Sequence, residues 1–367
     1  MSEPVSAAVV LPKDADVLVR RRLGLAPGAP LRIAFVAGPG DVVGTFEFWQ
    51  RGEHDARTPV IAYSSMFYSI VAALGAEALV LEEHDRQPSV PDPRFTFVHA
   101  PHRRGRGGIG FRLDERDFVK TVLGHVRPFN PHIVLIGAES PAALITGLPG
   151  GVLKVVTAHN ALWAMGQPPS GALSKLKMWL RTRGLRRADA AIGTSEECAL
   201  QIAAVGGPSG KHSYFEIPQI LPAFFPPAPG PKSPARRLMY LGRIEASKGV
   251  FDLLSAFAAV AADHPDLTLD FVGSGAASPA LSEEIARLSC ADRVIAHGVL
   301  DARRVHDKLD QTDLLICPSR TSEGLALVVV EASVHGVPSL LSSLVPAKTL
   351  LPGACVEFPA QDVAAMT

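Results

Sequence analysis

The chain has 367 residues, 47% hydrophobic and 20% charged, which is enough for two domains, each with a sizeable core. Its 36 basic and 36 acidic residues cancel to a formal net charge of zero, excluding a global drive toward nucleic acid or acidic membrane. Cys198, Cys290, Cys317 and Cys355 form no C-x-x-C and read as reduced core residues of a cytosolic protein.

Residues 1–30 read as a polar preamble with a short helix around Ala15–Leu23 and no signal peptide. No stretch of the sequence reaches the ~18 apolar residues that a membrane span needs. The first strong strand, Leu31–Ala37, runs into Gly38-Pro39-Gly40-Asp41-Val42-Val43-Gly44-Thr45. A Gly-rich turn after the first strand of an α/β domain lets backbone come close to a ligand. The proline between the first two glycines argues against a dinucleotide fingerprint, and a plain tight turn is the simpler reading. Strand and helix signals then alternate: a strand at Val60–Tyr63, a helix at Ser69–Ala76, strands at Ala78–Leu81 and Phe95–Val98, a helix over Glu115–Val126, and a strand at His132–Ile136. This order predicts a parallel sheet with helices on both faces.

The most basic stretch runs from His99 to Arg116 and carries Arg103, Arg104, Arg106, Arg112 and Arg116 among glycines. As a loop it is either a solvated segment or a surface for an anionic acceptor. Val155–Asn160 reads as a strand with a polar tip, and its His159 is either a crevice residue or a satisfied structural histidine. The helix Ala172–Arg187 mixes leucines, Met178 and Trp179 with lysines and arginines. It either lies on an anionic bilayer or is a domain helix with a solvated basic face. Ala188–Ser195 reads as the last strand of this domain, with Ser195 capping a helix over Glu196–Ala204.

Residues 217–235 hold seven prolines, a density that forbids a helix or central strand and predicts a stiff connector between domains 1–216 and 236–367. A new first strand from Arg237 ends in Gly242-Arg243-Ile244-Glu245-Ala246-Ser247-Lys248-Gly249, and a helix over Val250–Ala262 follows. Arg243 and Lys248 on one loop beside a helix N-terminus suit a diphosphate, with the arginine as a fork and the lysine as a point charge. The plain alternative is a pair of solvated loop cations. Leu267–Val272 ends in Gly273-Ser274-Gly275, and Val294–Leu300 is a further strand with its loop. Leu314–Cys317 reads as a buried parallel strand, followed by a polar turn Pro318–Gly324, a helix from about Leu325 to Val334, a stop at His335–Pro338, and another strand. Free backbone N–H groups and the positive dipole end beside that turn favour an anion. Glu323 sits just before this helix and Glu331 within it. Eight positions at 100° per residue return to within about 80°, so both acids can lean toward one side, although a capping Glu plus a buried or paired Glu fits equally well.

Glu323 and Glu331 in EGLALVVVEA, after Pro318-Ser319 and before Gly336-Val337-Pro338, resemble the E-x7-E signature of retaining GT-B glycosyltransferases, family 4 (glycosyl transferases group 1). GRIEASKG at 242–249 resembles that family's G-R-x-x-x-x-K-G element, and Gly273-Ser274-Gly275 is similar to its V-G-x-G turn. The resemblance covers 236–345 closely, 150–216 more loosely, and 1–149 only in the pattern of elements. It implies an α/β GT-B fold, with two Rossmann-like doubly wound domains facing across a cleft. The implied activity is metal-independent transfer from a UDP-, GDP- or ADP-linked sugar to a glycan, lipid-linked or small-molecule acceptor. Implied catalytic residues are Glu323, His159, Arg243 and Lys248. Donor binding is implied for Gly324, Leu325, Ala326 and Glu331, with Gly298 and Val299 near the base. Gly40, Asp41 and Gly44 correspond to the acceptor-side loop. A cytoplasmic protein follows, with or without contact at the inner membrane face, and no nucleic acid. Leu325-Ala326 departs from the Phe-Gly often found in the family, and little chain follows Pro352-Gly353 for its final crossing helix. A GT-B sugar-nucleotide epimerase and a non-catalytic sugar-nucleotide-binding protein are the other two classes this pattern admits.

Overall fold

The computed structural model describes residues 11–367 apart from 54, 56, 58–61, 104–108, 138, 139, 160, 164–166, 209–212, 216–229, 231, 232, 325, 349 and 350. The described chain divides into two compact units, one carrying the elements from Ala15 to Phe215 and the other those from Arg237 to Met366.

In the first unit α1 (Ala15–Arg22) precedes β1 (Arg32–Val36), α2 (Val42–Gln50), α3 (Tyr63–Ala73), β2 (Glu77–Glu82) and β3 (Phe95–His99). After these come α4 (Ile109–Phe129), β4 (Ile133–Gly137), α5 (Ala142–Gly147), β5 (Leu153–Ala158), α6 (Ala172–Thr182), β6 (Ala190–Gly193), α7 (Glu196–Ala204) and β7 (Ser213–Phe215). The strands form one parallel sheet in the order β3-β2-β1-β4-β5-β6-β7. Strand order reverses between β1 and β4, and such a switch point opens a crevice at the strands' carboxyl ends. Ala34 and Val36 of β1 pack into one core with Val134 and Ile136, while Ile33 and Phe35 face Phe46, Phe67 and Tyr68. Burial on both faces is why these strands read as unbroken apolar runs.

The second unit runs β8 (Arg237–Leu241), α8 (Val250–Val260), β9 (Thr268–Val272), α9 (Ser278–Ala286), β10 (Val294–Gly298) and α10 (Ala302–Gln311). It continues with β11 (Leu314–Cys317), α11 (Leu327–Val334), β12 (Ser339–Ser342), β13 (Cys355–Phe358) and α12 (Val363–Met366). Its parallel sheet is ordered β10-β9-β8-β11-β12-β13, with the switch point between β8 and β11.

Several boundaries differ from the sequence reading. The Gly-rich turn is shorter than expected, because Asp41 caps a helix at once: its Oδ1 accepts the Gly44 N–H at 2.8 Å. Of the strand expected at Val60–Tyr63, Val60 and Ile61 lie outside the described residues, and Tyr63 opens α3. Tyr63 and Phe67, one helical turn apart, both pack on the Phe35 ring, with centroids at 6.0 and 4.8 Å, so helical packing overrides their strand propensity. The basic loop ends earlier than expected, since Arg112 and Arg116 lie on α4, while Arg104 and Arg106 fall outside the described residues. β7 adds an edge strand beyond β6, which is therefore not the last of its sheet. Ser195 caps α7 as expected, its hydroxyl accepting the Cys198 N–H at 3.4 Å. Of the proline-rich stretch 217–235, only 230 and 233–235 lie within the described residues. All four cysteines are buried free thiols.

Candidate functional site

At the switch point of the second sheet, the loop after β8 (residues 242–249) meets the loop after β11 (residues 318–326). Backbone bonds lace these loops to their neighbours. Gly242 N–H donates to Val272 O at 3.0 Å, Ile244 N–H to Ser274 O at 3.0 Å, Gly273 N–H to Gly298 O at 2.8 Å, and Arg320 N–H to Ser247 O at 2.9 Å. Two glycines permit this closeness. Gly273 holds φ +128°, and a Cβ there would lie 1.9 Å from Gly242 O; Gly249 holds φ +72°, and its Cβ would lie 2.0 Å from Pro318 O.

The laced loops bring together two side chains 75 residues apart. Lys248 Nζ lies 2.5 Å from Glu323 Oε1, and the Ser319 hydroxyl donates to the same oxygen at 2.6 Å. Both partners are mostly shielded, with side chains 18% and 17% exposed, so water weakens the pair less than it would on an open surface. The Glu323 backbone is fixed by its N–H to Leu344 O at 3.0 Å, and the Ser319 carbonyl accepts the Ser342 hydroxyl at 2.7 Å. Glu323 Oε2 accepts no hydrogen bond from the described residues. Burial first, and the Glu323 carboxylate second, push the neighbouring Cys317 thiol up to about 12, so it stays protonated.

Arg243 is not part of this pair. Its Nη1 lies 2.7 Å from Glu245 Oε1 on its own loop, and the side chain is well exposed. Such a surface pair is worth little, so releasing the guanidinium from Glu245 costs little. Beneath the loop, Tyr240 is buried, which raises its pKa, and its hydroxyl donates to Arg243 O at 2.7 Å. Tyr240→Phe removes this tie and leaves the carbonyl short of a donor, and should cost about 1 kcal/mol of stability in urea denaturation. An unchanged midpoint would show that the tie holds nothing.

Glu331 does not share a helix face with Glu323, because α11 begins only at Leu327. Glu331 is buried on α11, lines a depression with Leu241, Gly242, Leu300 and Val305, and accepts no hydrogen bond from the described residues. Desolvation raises its pKa to about 7. Gly298 borders the laced loops, Val299 beside it is exposed, Gly324 and Ala326 are buried, and Leu325 lies outside the described residues.

In the first unit His159 is exposed at the carboxyl tip of β5, with its ring edge-on to Tyr63 at 5.7 Å between centroids. Gly40 lies exposed beside the β1 switch point. Asp41 and Gly44 are engaged in capping α2, and Asp41 Oδ2 also meets Arg86 Nη1 at 3.1 Å. Sequence reasoning quoted Ser319 within the signature without giving it a role, and it missed Tyr240. Ser319 stands four residues before Glu323, a spacing that was visible but that suggested nothing without the loop's fold. Among the described residues no group of three or more His, Cys, Asp or Glu is placed to hold a metal ion, and no helix is long and apolar enough to cross a membrane.

Residues 224–349 match the family model described as Glycosyl transferases group 1. Glycogen synthase from two Mycobacterium tuberculosis strains, CDC 1551 / Oshkosh and H37Rv, is 30% identical over 188 residues, which is 48% of this chain. That match spans only 42% of the curated relatives' own length. Among solved structures, sucrose-phosphate synthase (tll1590) from Thermosynechococcus elongatus superposes with a TM-score of 0.64 at 17% identity, over 92% of this chain and 88% of that one. The E. coli trehalose-6-phosphate structure bound with UDP-2-fluoro glucose gives 0.66 at 13% identity, over 91% and 90%. Anabaena Alr3699/HepE in complex with UDP and glucose gives 0.57 at 16% identity, over 92% and 88%. At these identities the likeness establishes the fold: two doubly wound parallel sheets in one chain, the GT-B architecture.

Proposed function

We propose that this chain is a metal-independent, retaining glycosyltransferase of family 4 that takes its sugar from a nucleotide-diphosphate donor. The observation that carries the reading is the Lys248–Glu323–Ser319 constellation, assembled from two loops at a switch point. In the reaction, the bond from the anomeric carbon to the β-phosphate oxygen breaks, its electron pair leaving with the diphosphate. An acceptor hydroxyl oxygen forms the new bond on the face the diphosphate leaves, which retains the configuration, and its proton passes to the departing β-phosphate oxygen. Charge develops on the departing diphosphate, and Lys248, with Arg243 recruited from Glu245, neutralises it. Glu323, held through Oε1, offers Oε2 to the sugar hydroxyls and to the positive charge at the anomeric carbon. His159 lies at a carboxyl strand end, where a ligand of the first unit would bind, and is assigned to the transferred sugar. The buried free thiols fit a reducing cytoplasm.

UDP is the first nucleotide to test, since several solved neighbours carry it. A thermal-shift panel of UDP, GDP and ADP ranks the base, because a ligand that binds only the folded state raises its melting temperature by mass action. Incubation with donor and acceptor, with NMR of the product's anomeric configuration, tests transfer and retention. An epimer formed from donor alone, or binding without transfer to any acceptor, would overturn the proposal.

Glu331 is assigned to the ribose hydroxyls, which donate to a carboxylate and so favour its ionised form. With its pKa near 7, nucleotide affinity should rise about tenfold between about pH 6 and about pH 8, and Glu331→Gln should flatten that profile. The stability effect has the opposite sense. The raised pKa contributes stability that is complete below about 4.5 and is lost as pH rises through about 7. In pH-dependent melts, the native protein should therefore lose ground to the Glu331→Gln variant as pH rises, and parallel curves would remove this assignment.

A further inference from the structure

Amphipathic helices of globular proteins turn their apolar side inward, whereas the leucine-bearing side of α6 faces outward. At 100° per residue, Leu173, Leu176, Trp179 and Leu180 fall within an arc of about 120°. Each is at least 47% exposed. Only Met178 and Thr182 of this helix are not exposed, and they fall on the far side of the same projection. The helix is therefore held on its far side through Met178 and Thr182, with its leucines outermost. Lys175 and Lys177 stand at the two edges of the arc, Arg181 extends the basic flank, and the helix contains no acidic residue. The Arg186 guanidinium lies 4.7 Å from the Trp179 ring centroid and donates to its carbonyl, which fixes the indole with its other surface outward.

An eleven-residue helix with so little tertiary burial is marginal in water, so this one needs a partner for its outer face. The start of α4 extends the surface. Ile109 is 80% exposed, and Phe111, Arg112 and Arg116 share a depression with Leu180 and Arg183, beside Glu115. Outward leucines with cations at both edges and an ordered tryptophan complement an acyl–headgroup boundary bearing negative charge.

We propose that α6 and the first turns of α4 dock the first unit onto an anionic lipid bilayer, lying in its interface rather than spanning it. This goes beyond the reaction proposed above and holds whether or not that reaction is correct. The test is co-sedimentation of the whole chain with vesicles of phosphatidylcholine, with and without about one third phosphatidylglycerol. Anionic vesicles should be bound at least about tenfold more tightly than neutral ones, and about 0.5 M salt should weaken binding strongly. Trp179 emission should shift to the blue on binding, a change that Trp179→Phe removes. The double variant Leu176→Gln, Leu180→Gln alters only exposed side chains and should retain the native circular dichroism while losing at least about tenfold in vesicle affinity. Equal binding by native protein and double variant, or no binding to anionic vesicles at low salt, would overturn the proposal. So would light scattering that detects a dimer which the double variant dissolves, since the occupant of this face would then be a second copy of the chain.

Discussion

Lys248→Ala should lower kcat/KM for the preferred sugar nucleotide by about 10²–10³-fold, or about 3–4 kcal/mol of transition-state stabilisation. The size follows from where the ammonium sits. It is mostly shielded, oriented by a 2.5 Å contact with Glu323, and at a strand-end crevice where the field of one charge is poorly screened. Ground-state binding should suffer less than turnover, because the diphosphate gains charge as the glycosidic bond breaks. A falling kcat with a modest change in KM is the signature, and a change in KM alone would assign Lys248 to uniform binding. Removing the lysine also strips Glu323 of its counter-charge, so the variant's melting curve must accompany its kinetics. Glu323→Gln separates the two effects. The amide keeps the shape and the bond to Ser319 but loses the charge, and turnover should still fall at least about tenfold. Near-native kinetics in either folded variant would end the assignment.

The alternation of strands and helices was legible because parallel strands buried on both faces leave continuous apolar runs, as in Phe35-Val36 of β1 and Leu315-Ile316 of β11. The two loops of the candidate site were legible for a different reason, since Gly242–Gly249 and Pro318–Gly324 are polar, Gly-bearing segments that interrupt such runs. What the sequence did not reveal lies in partner choice. Arg243 and Lys248 look equivalent as cations on one loop, yet Glu245 engages the first and Glu323 the second, and only the folded loop decides between near and distant carboxylates. The helical arithmetic relating Glu323 to Glu331 does not apply, because α11 begins only at Leu327. Periodicity is valid only within an element, and a buried strand end leaves no mark of where the next helix starts. α2 was missed because Gly40 and Gly44 drew attention away from Asp41, a capping residue three positions before the N–H it binds. The direction in which α6 faces was equally hidden, since a hydrophobic arc specifies that a side is apolar and not what covers it.

Gly273→Ala and Gly249→Ala should be the most damaging single-methyl additions in the second unit. Each glycine holds a positive φ that an L side chain rarely adopts, a strain of about 1–3 kcal/mol before any contact is counted. The added Cβ would then meet backbone rather than a movable side chain: Gly242 O at 1.9 Å in one case and Pro318 O at 2.0 Å in the other. Relief requires the loop after β8 to move away from its neighbours, which breaks bonds such as Gly242 N–H to Val272 O and separates Lys248 from Glu323. A loss of at least about 4 kcal/mol is expected, with the second unit melting well below the native transition. Gly124→Ala provides the control. Gly124 lies exposed within α4, a Cβ there would meet nothing within 4 Å, and the substitution should stabilise by about 0.4–1 kcal/mol. If all three alanines behaved alike, the backbone-to-backbone packing of the laced loops would not be what holds the site together. Lys248 and Glu323 would then have to find each other by attraction alone, which for one partly shielded ion pair is too little to fix two loops 75 residues apart.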